Sequence, residues 1–168
     1  MNSFAAIRPA QSSDAEDLIQ VHYDAVQAIS HEFYSQELLD AWSPPPSVNR
    51  YEWMRTIIVS DNRTVFVAEI QNEVCGFSIC LLRESLIYAL YISPNSVRRG
   101  LGKVLLNHTE NHLAHVGVSR AKLNASINAV QFYKTMGYSI IRPSTQALAD
   151  GSEMDCFEMK KDLQSPNS

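Results

Sequence analysis

The sequence predicts an α+β domain in which several strands share one sheet and helices pack beside it. Helical periodicity dominates the first third, three consecutive strand-like segments follow, and strands then alternate with helices. The 168 residues suit one domain, which we expect to span residues 1–163, before a disordered tail over 164–168.

A short strand and an amphipathic helix are expected at the start of the chain. Residues 4–8 form the strand, which Pro9 closes. Ser13 and Glu16 have the spacing of a capping box, which predicts a helix start. Residues suited to a buried face then recur at helical spacing: Leu18, His22, Ala25, Val26 and Ile29.

Two shorter helices should follow. Ser35 is placed to cap a helix over residues 36–42, and the Ser-Pro-Pro-Pro run at 43–46 ends it. A third helix is expected from Val48 to about Val59.

From Thr64 the apolar period becomes that of strands. Strands are expected over 64–70, 74–82 and 85–92, the first two joined by a turn at 71–73. The later elements are a helix over 101–115, a strand over 120–124, a helix over about 128–136, a strand starting at Tyr138 and a last strand over 154–161. Gly137 stands where glycine commonly ends a helix.

Composition excludes several functional classes. A formal net charge of −4 and a pI near 5.7 disfavour a nucleic-acid partner. No apolar run approaches the ~20 residues that span a membrane, and the start lacks a signal-peptide core, so we expect a cytoplasmic protein without a membrane partner. Cys75, Cys80 and Cys156 form no Cys-x-x-Cys pair and are expected to be buried apolar residues.

The junction between Tyr91 and Lys103 indicates a phosphate site. An apolar strand ends at a proline, and an amphipathic helix begins at Leu101. The first amides of a helix lack acceptors and lie at the positive end of its dipole, so anions dock there. Glycines 100 and 102 let a phosphate approach, and the cationic side chains of Arg98, Arg99 and Lys103 lie within six residues.

Other phosphate loops fit this turn poorly. A Walker loop needs Gly-x-x-x-x-Gly-Lys-Ser/Thr, and Leu105 stands where a dinucleotide fingerprint has its third glycine. A basic turn that merely caps a surface helix is the plainer alternative for Gly-x-Gly alone.

Two segments together resemble the GNAT superfamily of acetyl-CoA-dependent N-acetyltransferases. Residues 97–102 resemble its Gln/Arg-x-x-Gly-x-Gly/Ala motif, with Val97 departing at the first position. Residues 124–138 resemble its Asn/Ser-x-x-Ala-x-x-Phe/Leu-Tyr-x-x-x-Gly-Phe/Tyr segment, with Ser126 at the usual asparagine.

The resemblance implies a GNAT-type sheet that is mixed, mostly antiparallel, six- to seven-stranded and flanked by helices. This sheet would be splayed between strands 4 and 5, where the pantetheine arm of coenzyme A enters. The backbone of Leu90, Tyr91 and Ile92 would bind pantetheine. The diphosphate would be wrapped by Val97, Arg98, Arg99, Gly100, Leu101, Gly102 and Lys103. The far wall would comprise Asn124, Ser126 and Asn128.

Tyr133 occupies the position of the family tyrosine that also contacts the cofactor and is thought to protonate the departing thiolate. A tyrosine packed on a helix face is the plain alternative. The general base stays open, because no carboxylate lies in strand 86–92. The candidates are Glu32, Glu37, Asp40, Glu69, the turn residue Glu84, or a water held by Tyr88 or a backbone carbonyl.

The N-terminal third usually covers the acceptor site in such proteins. Tyr34, Trp42 and Tyr88 are therefore candidate substrate residues, although aromatic side chains also anchor short helices. His22 and His31 are weaker candidates. His108 and His112 lie four apart, but the glutamate between them is one place too late for a zinc motif, so no metal is expected.

The favoured function is transfer of acetyl from acetyl-CoA to a primary amine by direct attack in a ternary complex. A non-catalytic acyl-CoA-binding sensor is the second hypothesis, and a nucleotide-binding protein is a distant third. A homodimer is compatible with the resemblance. Small amines, amino acids, antibiotics and protein amines all stay open as acceptors. An acidic pocket would indicate a small cationic amine, and an open groove a peptide.

Overall fold

A seven-stranded sheet runs through the computed structural model, which describes residues 5–164. The strands are β1 (Ala6–Pro9), β2 (Arg63–Ile70), β3 (Glu73–Leu81), β4 (Leu86–Ile92), β5 (Arg120–Ser126), β6 (Ser139–Ala147) and β7 (Glu153–Asp162). The helices are α1 (Ala15–Gln27), α2 (Gln36–Trp42), α3 (Val48–Ile58), α4 (Leu101–His115) and α5 (Val130–Thr135). Within the described residues, no helix is both long and apolar enough to cross a membrane.

The sheet is open in its middle. Its order is β1-β2-β3-β4-β5-β7-β6, and every pair is antiparallel except β4 and β5. Those two strands pair only through Leu86 with Lys122 and Ile87 with Leu123. Beyond Ile87 they part, which leaves backbone groups of β4 free to face a ligand. The predicted fold class is confirmed.

Helices cover both faces of the sheet because successive strand residues point to opposite sides. Val65 and Val67 of β2 pack with Leu18 of α1 and Ile57 of α3. Phe66, between them in sequence, packs with Leu101 and Leu105 of α4 on the other face. The three cysteines are buried and free, as expected.

The start of α1 differs from the prediction. The prediction of a Ser13/Glu16 capping box is wrong, because Asp14 has the capping role. The Asp14 carboxylate accepts a hydrogen bond from the Gln11 amide at 2.6 Å. A 3₁₀ turn, Ser12–Asp14, precedes the helix. Arg8 holds the Asp14 carboxylate at 2.8 Å and lowers its pKa, so a contact to β1 selects the cap.

Other boundaries shift by one or two residues. Pro9 belongs to β1 instead of closing it, since β1 is an edge strand, where a missing N–H is tolerated. β5 runs two residues further than expected, to Ser126, and the 3₁₀ turn Ile127–Ala129 delays α5 to Val130. Phe4 and the predicted tail beyond residue 164 lie outside the described residues.

Candidate active site

The turn between β4 and α4 has the backbone of an anion site. Arg98 and Gly100 both adopt left-handed conformations, with φ of 66° and 73°. Gly100 is the N-cap residue of α4 and offers no side chain to its first amides. The amide of Val104 bonds to the Gly100 carbonyl at 3.1 Å, so the three amides before it lack an intrahelical acceptor.

This turn lines a cavity of about 490 Å³, here named the loop cavity. Its walls include most of the predicted cofactor residues, namely Leu90, Tyr91, Ile92, Val97, Arg98, Gly100, Leu101, Gly102, Lys103, Ser126, Asn128 and Tyr133. Arg99 is exposed and lines neither this cavity nor the next. The fold thus brings residues from three separate segments of the sequence together in one cavity.

A second cavity of about 400 Å³, here named the aromatic cavity, lies beside it. Its walls include His22, Trp42, Arg50, Trp53, Tyr88, Asn124 and Gln146. The two cavities share Trp42, Leu90, Tyr91, Ser126, Ala129 and Tyr133. Ligands in the two cavities would therefore meet at Tyr133.

The Tyr133 side chain is buried but keeps its hydroxyl available. It makes no hydrogen bond to any residue between 5 and 164, and no fully buried side-chain oxygen in that range lacks a partner. The hydroxyl oxygen must therefore retain access to cavity space. Burial raises the pKa of Tyr133 well above its usual range, which keeps the phenol protonated at neutral pH.

Aromatic rings form the shared wall around Tyr91. The Trp42 indole N–H donates to the Tyr91 hydroxyl at 3.1 Å, and the His22 ring meets the Tyr91 ring edge-on with centroids 4.5 Å apart. These contacts fix the rings relative to β4 and hold α2 against the opening of the sheet.

A basic group missed by sequence reasoning lies in the aromatic cavity. The Arg50 guanidinium donates to the carbonyl of Pro44, to Nδ1 of His22 at 2.8 Å and to Oγ of Ser43 at 3.2 Å. The sequence did contain a signal for Arg50. No Asp or Glu lies three or four residues away to form a salt bridge with it along the helix, which indicates a guanidinium with another partner.

His22 is held as a neutral imidazole. Because Arg50 can only donate, Nδ1 must be the acceptor and Nε2 carries the proton. Burial, with a smaller contribution from the Arg50 charge, lowers the pKa of His22 to about 3.

Two of the three candidate substrate residues line a cavity and one does not. Trp42 and Tyr88 line the aromatic cavity, whereas Tyr34 lines neither cavity. The buried Tyr34 hydroxyl donates to the Asp155 carbonyl at 2.6 Å and accepts from the Ile127 amide at 2.8 Å. Its position is that of a packing residue instead of a substrate contact.

The carboxylates predicted as candidate general bases lie outside both cavities. Neither cavity is lined by Glu32, Glu37, Asp40, Glu69 or Glu84. Glu69 pairs with Arg8 at 2.5 Å, and Glu84 accepts from the Asn62 amide group at 2.9 Å.

His108 and His112 pack their rings against Phe66, and Thr64 bonds to Nε2 of His112 at 3.2 Å. Between residues 5 and 164 no group of three or more His, Cys, Asp or Glu side chains is placed to hold a metal ion.

Similarity to known proteins agrees with this geometry. The family model described as "Acetyltransferase (GNAT) domain" matches residues 30–163. The peptidyl-lysine N-acetyltransferase YiaC from Escherichia coli (strain K12) is 26% identical over 80 residues, which cover 48% of this chain and 53% of that protein. The match thus spans about half the length of that curated relative.

Two solved structures share the fold over nearly their full length. A GCN5-related N-acetyltransferase from Rhodopseudomonas palustris superposes with a TM-score of 0.87 at 23% identity, covering 96% of this chain and 97% of its own. PaiA N-acetyltransferase from Thermoplasma acidophilum, solved with coenzyme A, superposes with a TM-score of 0.76 at 20% identity, covering 95% and 99%. With the family model matched over most of the sequence, the chain belongs to the GNAT acetyltransferase family.

Proposed function

We propose that the protein transfers an acetyl group from acetyl-CoA to a primary amine by direct attack in a ternary complex. The observation that carries this proposal is that the loop cavity and the aromatic cavity meet at Tyr133. A donor in the first and an acceptor in the second would place their reacting groups at one point, as direct transfer requires. Acetyltransferase family membership supports the reaction type.

The residues of the loop cavity fit coenzyme A. The three free amides at the start of α4 would receive the diphosphate, with Arg98 and Lys103 adding charge. The backbone of Leu90 to Ile92, unpaired on its β5 side, would hold the pantetheine arm. Ser126, at the end of β5, and Asn128, in the turn after it, line the same cavity, while Asn124 lines the aromatic cavity.

Tyr133 would stabilise the leaving sulfur. Bound acetyl-CoA supplies a thioester whose acetyl carbon accepts the amine nitrogen while the C–S bond breaks and sulfur keeps the electron pair. Donating a proton from tyrosine to an ordinary thiolate is uphill by roughly 2 kcal/mol, and burial of Tyr133 steepens that difference. We infer that the phenol acts chiefly by hydrogen bonding to the sulfur, which takes its proton from water as it leaves.

The acceptor must lose its proton without a carboxylate in the cavity. No Asp or Glu lines either cavity among the described residues. The depressed pKa of His22 makes it a weak base, and its Nδ1 is engaged by Arg50. The acceptor ammonium would therefore release its proton to water, which favours amines of low pKa.

A non-catalytic acyl-CoA-binding module is the second candidate. Val97, half-exposed in the loop cavity, offers no polar side chain there, and the cavities lack a carboxylate base within the part of the chain that the structure describes. Both features are compatible with a protein that binds the cofactor without turning it over.

Calorimetry with coenzyme A and a thiol-release assay with an amine panel test both candidates. Binding together with amine-dependent release supports transfer, and binding without release above hydrolysis supports the sensor. Tyr133→Phe, which removes the hydrogen bond to the leaving sulfur, is expected to slow release by about 10- to 100-fold while coenzyme A still binds. Tyr23→Phe, on α1 outside both cavities, is the matched control, and an undiminished rate in Tyr133→Phe would remove Tyr133 from the mechanism.

A further inference from the structure

We propose that the acceptor amine also carries a carboxylate, as an amino acid does, and that Arg50 binds this carboxylate in the aromatic cavity. This inference rests on the proposed function and narrows its acceptor. It follows from the partners of Arg50, the composition of the cavity walls and the geometry of the neighbouring imidazole.

Arg50 is oriented but not neutralised. Its three partners, the Pro44 carbonyl, His22 Nδ1 and Ser43 Oγ, are all uncharged. None of the salt bridges within residues 5–164 involves Arg50. The side chain is partly buried, and loss of solvent lowers its pKa. A partly desolvated guanidinium with only neutral partners favours an anion beside it.

The Arg50 guanidinium still has N–H donors available for such an anion. The hydrogen bonds use Nη1 and Nη2, while Nε makes none to the described residues. Arginine carries five N–H groups in a planar fork that matches a carboxylate. The contacts to the Pro44 carbonyl and to His22 hold this fork at the cavity wall, so little rotamer freedom is lost when a ligand binds.

The cavity contains no competing negative charge. The part of its wall that the structure describes includes no Asp or Glu, and Arg50 is its one residue of fixed charge. A purely cationic acceptor, such as a diamine, would thus meet a positive wall. An acidic pocket would indicate such a substrate, but residues 5–164 form no acidic wall in this cavity.

Pairing with Arg50 would also help the reaction. In a free amino acid the carboxylate stabilises the neighbouring ammonium and so raises its pKa. An ion pair with Arg50 withdraws that stabilisation, and the amine loses its proton more easily. This effect compensates for the missing general base in the cavity.

The remaining wall suits an apolar acceptor body. Trp53 and Tyr88, which line the cavity, are 47% and 50% exposed, and the buried side chains of Met54 and Ile79 line it too. Phenylalanine and methionine are therefore suitable probes, each with a matched amine that lacks the carboxylate: phenethylamine and 3-(methylthio)propylamine.

Steady-state kinetics on the wild-type protein gives the first test. The amino acid of each pair is expected to have a kcat/KM about 10- to 100-fold higher than its decarboxylated partner, the value of a hydrogen-bonded charge contact. Equal or better use of the decarboxylated amines would overturn the proposal while leaving acetyl transfer intact.

Substitution of Arg50 gives the second test. Arg50→Gln should raise KM for the amino acid and bring the ratio within each pair to about threefold or less. Arg50→Lys, which retains the charge but loses the fork, should restore part of the preference. Arg55→Gln, one turn along α3 and outside both cavities, is the control. An unchanged ratio in Arg50→Gln would overturn the proposal.

A binding measurement separates this proposal from the proposed function. N-acetylphenylalanine, a product analogue, should quench tryptophan fluorescence through Trp42 and Trp53, which line the cavity, and Arg50→Gln should abolish the quenching. If no amine releases coenzyme A but this carboxylate still binds through Arg50, the anion site stands and the transfer function falls. If the carboxylate does not bind the wild-type protein, the anion site is refuted.

Discussion

His22 shows how one side chain is fixed by its neighbours. Its imidazole contacts the Arg50 guanidinium, the Ser43 hydroxyl and the Tyr91 ring. Burial by such neighbours, and to a smaller extent the Arg50 charge, disfavours a positive charge on His22. None of these partners lies within a helical turn of His22 in sequence, so the periodicity of α1 identified a buried position but not its chemistry.

The depressed pKa of His22 predicts a loss of stability in mild acid. The unfolded chain takes up a proton near pH 6.5, whereas the folded chain resists it until about pH 3. The free energy of unfolding should therefore fall by about 2 kcal/mol between pH 6.5 and pH 5 from this residue. Urea unfolding at a series of pH values measures this slope.

His22→Asn retains an acceptor for Arg50 but cannot be protonated, so its stability should fall less steeply over the same range. His31→Gln, at an exposed histidine of the same region, is the control. Identical slopes for wild type and His22→Asn would contradict the assignment.

Residue-level prediction succeeded where the signal was local. Ser35 caps α2 through the Leu38 amide, as its position indicated. It failed for the cap of α1 and for Arg50, because Arg8 and His22 determine those contacts from other elements. Tyr34 was a reasonable candidate by type, but only the fold reveals that its hydroxyl bonds to Asp155 and Ile127.

At the scale of elements, the turn into α4 carries the cofactor proposal. Gly100 and Gly117 flank the two ends of this helix, both with positive φ, and a Cβ added at either would meet no atom within 4 Å. Gly117 is therefore a matched control for Gly100, because the two share their backbone conformation but only Gly100 lines the loop cavity.

Gly100→Ala and Gly117→Ala should each lower the free energy of unfolding by about 1 kcal/mol, because alanine is strained at positive φ. Gly100→Ala alone should also weaken coenzyme A binding, by roughly tenfold, through disturbed amide contacts to the diphosphate. Calorimetry with both variants measures this difference. Equal affinities would argue against a diphosphate at this turn.

Strand and helix positions were readable from the sequence because period 2 and period 3.6 differ clearly. The bounds of α2 and α4 agree with expectation. The pairing between strands was less accessible: that β4 and β5 share only two residue pairs depends on long-range packing, and it entered the prediction through family resemblance alone.

Across the whole molecule, few contacts close the sheet where β4 and β5 part. Besides their two residue pairs, the Lys122 amide donates to the Ser85 carbonyl at 2.9 Å. Tyr34 also connects the two sides of this opening. It belongs to the N-terminal half of the chain, and its hydrogen-bond partners Asp155 and Ile127 belong to the C-terminal half.

Tyr34→Phe should lower the free energy of unfolding by about 1–3 kcal/mol, because the Ile127 amide and the Asp155 carbonyl lose a buried partner. Chemical denaturation measures the loss, with Tyr23→Phe as the control. The acceptor KM should stay unchanged, and a selective rise in KM at wild-type stability would return Tyr34 to the substrate site.

The six residues common to both cavities have a consequence for inhibitor design. A single compound that joins coenzyme A covalently to an acceptor would fill both spaces without crossing a protein barrier. Tethering turns the second association into an intramolecular one, so such a conjugate should bind far more tightly than either half.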